Sequence, residues 1–241
     1  TQDYAYGGGI AGNASVTVRD CAFIGNTVSG SSSSSAAKTH AYGAGMYVTG
    51  ALSVNGTTVR GNRISGGIII DAYGGGLYAR GPLSLRDTVL MDNTVSDNGS
   101  IERGGALYAF SNNVNLVNLL VVFNAGTLGD GLYLNRCTGG NVINCLVTCN
   151  DGEGIRNDLS TGLVVSNSVL WENGNDLAGF ATNAVGAITN VWYCDIEDGD
   201  NAGVQGCLSL DPQFERGFYL STSSPCVNVG GATAASLGLS N

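Results

Sequence analysis

An asparagine recurs behind a short apolar run at six places: Phe23-Ile24-Gly25-Asn26, Val59-Arg60-Gly61-Asn62, Leu90-Met91-Asp92-Asn93, Val121-Val122-Phe123-Asn124, Val147-Thr148-Cys149-Asn150 and Leu170-Trp171-Glu172-Asn173. The interval between these asparagines contracts from 36 residues to 31, 31, 26 and 23 along the chain. A second mark contracts with it. Glycine-rich openers lead into Ile10, Met46, Leu77, Leu107, Leu132 and Ile155, most clearly as Tyr73-Gly74-Gly75-Gly76-Leu77-Tyr78-Ala79. Two independent marks with the same shrinking period define a repeat protein.

Each repeat holds three short strands. In the third they are Gly76–Ala79, the alternating Pro82-Leu83-Ser84-Leu85-Arg86, and Thr88-Val89-Leu90-Met91. All are too short for helices, and Gly or Asn punctuates the joints. Such strands bury their apolar faces only by coiling and stacking. The expected fold is therefore all-β, a parallel β-helix of about seven three-strand coils, right-handed because parallel crossovers overwhelmingly are. Coils are expected over residues 1–197, with 198–241 as a C-terminal cap of the same domain and residues 1–5 resembling a cut edge.

Counting back from the landmark Asn predicts columns. Eight residues earlier stand Val18, Val54, Leu85, Leu116, Val142 and Val165, and three earlier stand Phe23, Val59, Leu90, Val121, Val147 and Leu170. These are expected as interior ladders spaced by ~4.8 Å. Six earlier stand Asp20, Gly56, Asp87, Asn118, Asn144 and Asn167, types that tolerate left-handed backbone and so mark a bend. The repeats differ mainly after the landmark, where excursions shrink along the chain. The first contains the run Ser31 to Ser35, the second Ile68-Ile69-Ile70. They are expected as loops on one flank.

The balance of charge excludes some functions. The net charge is −9, with a single lysine, Lys38, and a single histidine, His40. A chain so poor in positive charge is unsuited to a nucleic-acid backbone. No apolar run reaches the roughly 18 residues of a membrane span.

Four tyrosines, Tyr47, Tyr78, Tyr108 and Tyr133, each follow the inward residue of the first strand. Alternation turns them outward in one stacked row ended by Arg156, expected as an exposed surface for sugar rings or a partner protein. The competing reading is that the row only stabilises neighbouring coils or lies under the excursions. The acidic turn bearing Asp195, Glu197, Asp198 and Asp200 is a candidate for structural Ca²⁺, against the default of a solvated turn. No other cofactor is expected.

The Gly104-Gly105-Ala106-Leu107 and Phe23-Ile24-Gly25-Asn26 pairing resembles the tetrapeptide repeats of chlamydial polymorphic outer membrane proteins, which are surface-displayed β-helical passengers implicated in adhesion. The tail is similar to the end of bacterial choice-of-anchor Q β-helix proteins, through Leu210-Asp211-Pro212-Gln213-Phe214, Tyr219-Leu220-Ser221 and Ser224-Pro225-Cys226-Val227-Asn228-Val229-Gly230. The resemblance spans roughly residues 6–230. It implies a secreted or surface-displayed bacterial β-helix and supplies no catalytic residues.

In a secreted setting, Cys207 with Cys226 is the expected disulfide, tying the tail together. Seven cysteines leave at least one unpaired within the chain. Cys21 and Cys145 share a column four coils apart, too far to bridge, and read as small buried apolar residues.

The favoured function is a non-catalytic, secreted or cell-surface binding and scaffold module, for adhesion, envelope structure or glycan contact. Its partners would be a glycan or a host or neighbouring surface protein. The alternative is a carbohydrate-active enzyme of lyase or hydrolase type acting on a polysaccharide laid along the coils. That would draw on the Arg19 and Arg86 column beside Asp20, Asp87 and Asp92.

Overall fold

The computed structural model describes residues 2–30, 38–66, 69–96, 101–111, 113–233 and 235–239. Among these residues the chain is an all-β, solenoid-like stack in which three seven-stranded parallel sheets run side by side. Sheet I takes the opener strands Ile10–Gly12, Met46–Val48, Leu77–Ala79, Leu107–Phe110, Leu132–Asn135, Glu153–Asp158 and Asn175–Ala178. Sheet II takes Val16–Arg19, Leu52–Asn55, Leu83–Arg86, Val114–Val117, Gly140–Ile143, Leu163–Ser166 and Val191–Trp192. Sheet III takes Ala22–Ile24, Thr58–Arg60, Val89–Met91, Leu120–Val122, Leu146–Thr148, Val169–Trp171 and Asp195–Ile196. No helix of the described residues is long and apolar enough to cross a membrane.

The interior columns fall where the spacing predicts. Leu85 pairs in register with Val54 on one side and Leu116 on the other, and Leu90 with Val59 and Val121. All six belong to one apolar core and are 0 or 1% exposed. Each buried aliphatic side chain is stabilising by roughly 2 kcal/mol. The bend column is left-handed throughout: Asp20, Asp87, Asn118, Asn144 and Asn167 have φ of 50 to 55° and Gly56 has 60°. A second left-handed column lies just before the landmark, at Gly25, Gly61, Asp92, Phe123, Cys149 and Glu172.

The landmark itself is an interior ladder. Asn62, Asn93 and Asn124 are fully buried. Each side-chain amide donates to the next: Asn62 Nδ2 to Asn93 Oδ1 at 2.9 Å, Asn93 Nδ2 to Asn124 Oδ1 at 3.0 Å, and Asn124 Nδ2 to Asn150 Oδ1 at 3.0 Å. The fixed Asn is thus a requirement of a dry polar corner, where every donor must find an acceptor.

The expected flank loops are corrected to strands. After the landmark, Thr27–Ser29, Arg63–Ser65 and Thr94–Ser96 form a three-stranded parallel sheet, and Gln2–Tyr6, Lys38–Tyr42, Ile69–Tyr73 and Ile101–Arg103 a four-stranded one. Val28, Ile64 and Val95 pack with Ala41, Ala44 and Ala72 in a small separate core. The excursions fold because that alternation gives them an apolar face of their own. Ser31 to Ser35 and Ile68 lie outside the described residues.

The segment from Asp198 onward divides. Leu208 bridges Asp195 in parallel, and Asn201 accepts from Ile188 N at 2.6 Å and donates to Ile188 O at 2.8 Å, so residues to 208 lie across the last coil. The chain then turns back along the outside. Phe214–Glu215 and Tyr219–Leu220 pair antiparallel. Phe218 reaches Phe123 with ring centres 5.9 Å apart, Gly231 N donates to Asn167 Oδ1 at 2.7 Å, and Arg86 Nη2 donates to Leu237 O at 3.4 Å.

Candidate functional site

The returning tail stands off the corner between sheets II and III and leaves a groove of about 810 Å³, within the range of roughly 300–1,000 Å³ that ligand clefts occupy. Its floor is the left-handed bend column, Asp87, Asn118, Asn144 and Asn167, continued by Tyr193. Tyr193 has φ of 53° and is the seventh-coil member of that column. The opposite wall comes from the tail hairpin: Phe214, Arg216, Phe218, Tyr219 and Leu220.

The local backbone explains the floor. A left-handed residue at the bend turns its side chain out of the coil, and the ~4.8 Å repeat stacks these side chains in a row. Asn118 Nδ2 donates to Asp87 Oδ1 at 2.5 Å, and Asn144 Nδ2 donates to Asn118 Oδ1 at 3.0 Å. An amide has two donor hydrogens and two lone pairs. The ladder uses only part of that capacity and fixes each amide's orientation. Asp87 and Asn118 are exposed on the floor, and Tyr219 on the wall is 78% exposed.

Asp195 holds the wall in place. It is buried; its Oδ1 accepts from Leu210 N at 3.0 Å and its Oδ2 from Cys226 Sγ at 2.8 Å. Burial, then the hydrogen bond and charge of Asp195, pushes the Cys226 thiol up to about 12.

The other acidic-turn residues go elsewhere. The Glu197 carboxylate accepts from Glu172 N at 2.5 Å, Asp198 Oδ2 from Asp176 N at 3.1 Å, and Asp198 Oδ1 from Asp200 N at 3.3 Å. Three of the four carboxylates proposed for Ca²⁺, those of Asp195, Glu197 and Asp198, thus accept from separate backbone amides, and no group of three or more His, Cys, Asp or Glu among the described residues is placed to hold a metal.

The tyrosine row forms in the expected register. Tyr47, Tyr78, Tyr108 and Tyr133 stack at 5.2, 5.4 and 5.2 Å, and Arg156 pairs beside Tyr133. Its expected exposure is corrected. Tyr78, Tyr108 and Tyr133 are 9, 5 and 1% exposed and Tyr47 is half-buried. The four-stranded flank sheet lays a second row against them, with Tyr42 5.0 Å from Tyr78 and Tyr73 4.7 Å from Tyr108. Arg103 sits over both Tyr73 and Tyr133. Tyr133 donates to Asp158 Oδ2 at 2.6 Å, and Arg156 is ion-paired with Glu153. Burial drives the Tyr73 hydroxyl up to about 12. The row is packing between two sheets.

The Cys207–Cys226 disulfide is also corrected: all seven cysteines are free thiols, and Cys226 is turned to Asp195 while Cys207 lies in the core. Cys145 is buried as expected, its thiol pushed by burial up to about 12, whereas Cys21 is exposed. The Arg column does not converge with the acids. Arg86 is engaged by the tail carbonyls, and Asp92 pairs with Arg60 at 3.1 Å.

Sequence reasoning missed the groove because it read the tail as an end piece. One signal was present. The column Gly25, Gly61, Asp92, Phe123 puts a large aromatic at an exposed left-handed corner, which makes sense only if something apolar lies over it. Phe218 does.

No family model, no curated protein and no solved structure matches the chain.

Proposed function

We propose that the protein is a secreted or cell-surface binding and scaffold module, a right-handed parallel β-helix that holds a neutral glycan in the groove between its returning tail and the sheet II–III corner, without catalysis. The handedness follows from the strong bias of parallel crossovers. The observation that carries the binding assignment is the row of outward amides and Asp87 facing the aromatic wall. A sugar presents hydroxyl edges and apolar ring faces together. Oriented amides suit the first and exposed aromatic rings the second. The net charge of −9 disfavours a polyanionic ligand.

An array of neutral oligosaccharides tests this, probed with the wild type and with the Asn144→Ala and Tyr219→Ala variants, and followed by product analysis of any ligand that binds. Binding that weakens at least tenfold in both variants with the ligand intact supports the assignment. Binding unaffected by either variant removes the groove from it, and cleaved product would establish the enzyme reading instead.

A further inference from the structure

Cys194 and Cys207 are neighbours in register. Asp195 bridges Leu208 in parallel, Leu208 N donates to Cys194 O at 2.8 Å, and Ile196 N donates to Leu208 O at 3.0 Å. The residue before each bridge partner is therefore opposite the other, with both side chains on one face. Paired parallel strands lie ~4.8 Å apart, inside the 4.4–6.8 Å Cα separation that a disulfide spans. Both side chains are 1% exposed in the main core, where Cys194 Sγ donates to Trp192 O at 3.3 Å and Cys207 Sγ to Val191 O at 3.7 Å. Cys226 and Cys145 are excluded as partners. Cys226 is turned to Asp195, and Ser168 occupies the position between Cys145 and Cys194 in their column.

The geometry points to a disulfide-forming site at Cys194 and Cys207 that covalently fastens the closing segment to the last coil, with a low-molecular-weight disulfide as oxidant. The thiolate of one cysteine attacks one sulfur of the external disulfide and expels the other half as a thiolate, leaving a mixed disulfide. The second cysteine then gives up its proton and attacks the sulfur of the first, expelling the second thiolate. Two protein thiols are oxidised, one external disulfide is reduced to two thiols, and the two protons pass to the leaving groups. With both sulfurs buried, the exchange belongs to the stage before residues 203–208 settle on the coil. The link anchors the stretch from which the groove wall departs, and it holds whatever the groove binds.

The test is to refold the full chain in a buffer of oxidised and reduced glutathione and in reduced glutathione alone. Free thiols are then alkylated under denaturing conditions and peptides are mapped by mass. The expected oxidised product carries five alkylated cysteines of the seven, with a Cys194–Cys207 peptide. It melts about 5–10 °C above the reduced protein, as expected for a short closed loop, and this difference is absent in Cys194→Ser and Cys207→Ser. Seven alkylated cysteines after oxidative refolding, or a bridge mapped to any other pair, would overturn the proposal. The peptide map of the wild type decides the matter even if a serine variant does not fold.

Discussion

Asn124 sits between two copies of itself. Its Oδ1 accepts from both the backbone N and Nδ2 of Asn93 at 3.0 Å, and its own Nδ2 donates to Asn150 Oδ1 at 3.0 Å and to Leu90 O at 2.9 Å. Its side chain is out of reach of water. Replacing it by alanine leaves two Asn93 donors and the Leu90 carbonyl unanswered in a dry corner, so Asn124→Ala is expected to destabilise by about 3 kcal/mol. The same change at half-buried Asn26, the ladder's first rung, is expected to cost under about 1 kcal/mol. Denaturant melts of both variants measure the contrast, and equal losses would show that the ladder is not the source of the effect.

The double tyrosine layer fastens the flank to the body. Tyr108 is stacked between Tyr78 and Tyr133, contacts Tyr73 of the flank sheet and accepts from Asn135 Nδ2 at 2.8 Å. Tyr108→Ala is expected to cost roughly 3–5 kcal/mol and to speed amide exchange in Lys38–Tyr42 and Ile69–Tyr73. Tyr108→Phe, which loses only the hydroxyl that accepts from Asn135, is expected to cost about 1–2 kcal/mol with the flank still protected. Exchange confined to sheet I in the alanine variant would contradict the layer's role.

Asp130 is buried, and its carboxyl is raised to about 7 by burial first and then by Asp151, Glu153 and Glu102. A folded-state value above the ordinary 3.8 means that the folded chain binds the proton more tightly than the unfolded one. The contribution to stability is therefore present below about pH 4 and is lost as pH rises through about 7. Asp176, raised to about 6 with burial as the first cause, adds in the same direction. Asp130→Asn is expected to flatten this slope and to stabilise at pH 8 by on the order of 2 kcal/mol. Thermal melts of both proteins between pH 4 and 8 test it, and parallel curves would rule Asp130 out.

The columns were legible because a solenoid writes one requirement many times. Val54, Leu85 and Leu116 repeat the inward position, and the fixed Asn repeats the dry corner, so each site is read several times over. The left-handed bend could be read from residue type alone at Asp87, Asn118 and Asn144. What covers a coil is written once and far away. Tyr78 and Tyr108 alternate outward as expected, yet their burial depends on Tyr42 and Tyr73 in strands that look like loops, because the apolar face there is only Val28, Ile64, Val95 and alanines. The groove has the same character. Its floor belongs to the repeat, while its wall depends on where a non-repeating tail lands, and that is set by single contacts such as Phe123 with Phe218 and Asn167 with Gly231.

The most direct test of glycan binding in the groove is to follow the side-chain amide resonances of Asn118 and Asn144 by NMR during titration with neutral oligosaccharides. Saturable shifts are expected at these two amides, at Tyr193 and at Tyr219, with the amides around Tyr78 and Tyr108 unmoved. Shifts centred on the tyrosine layer, or none at the groove with the ligand at millimolar concentration, would contradict it.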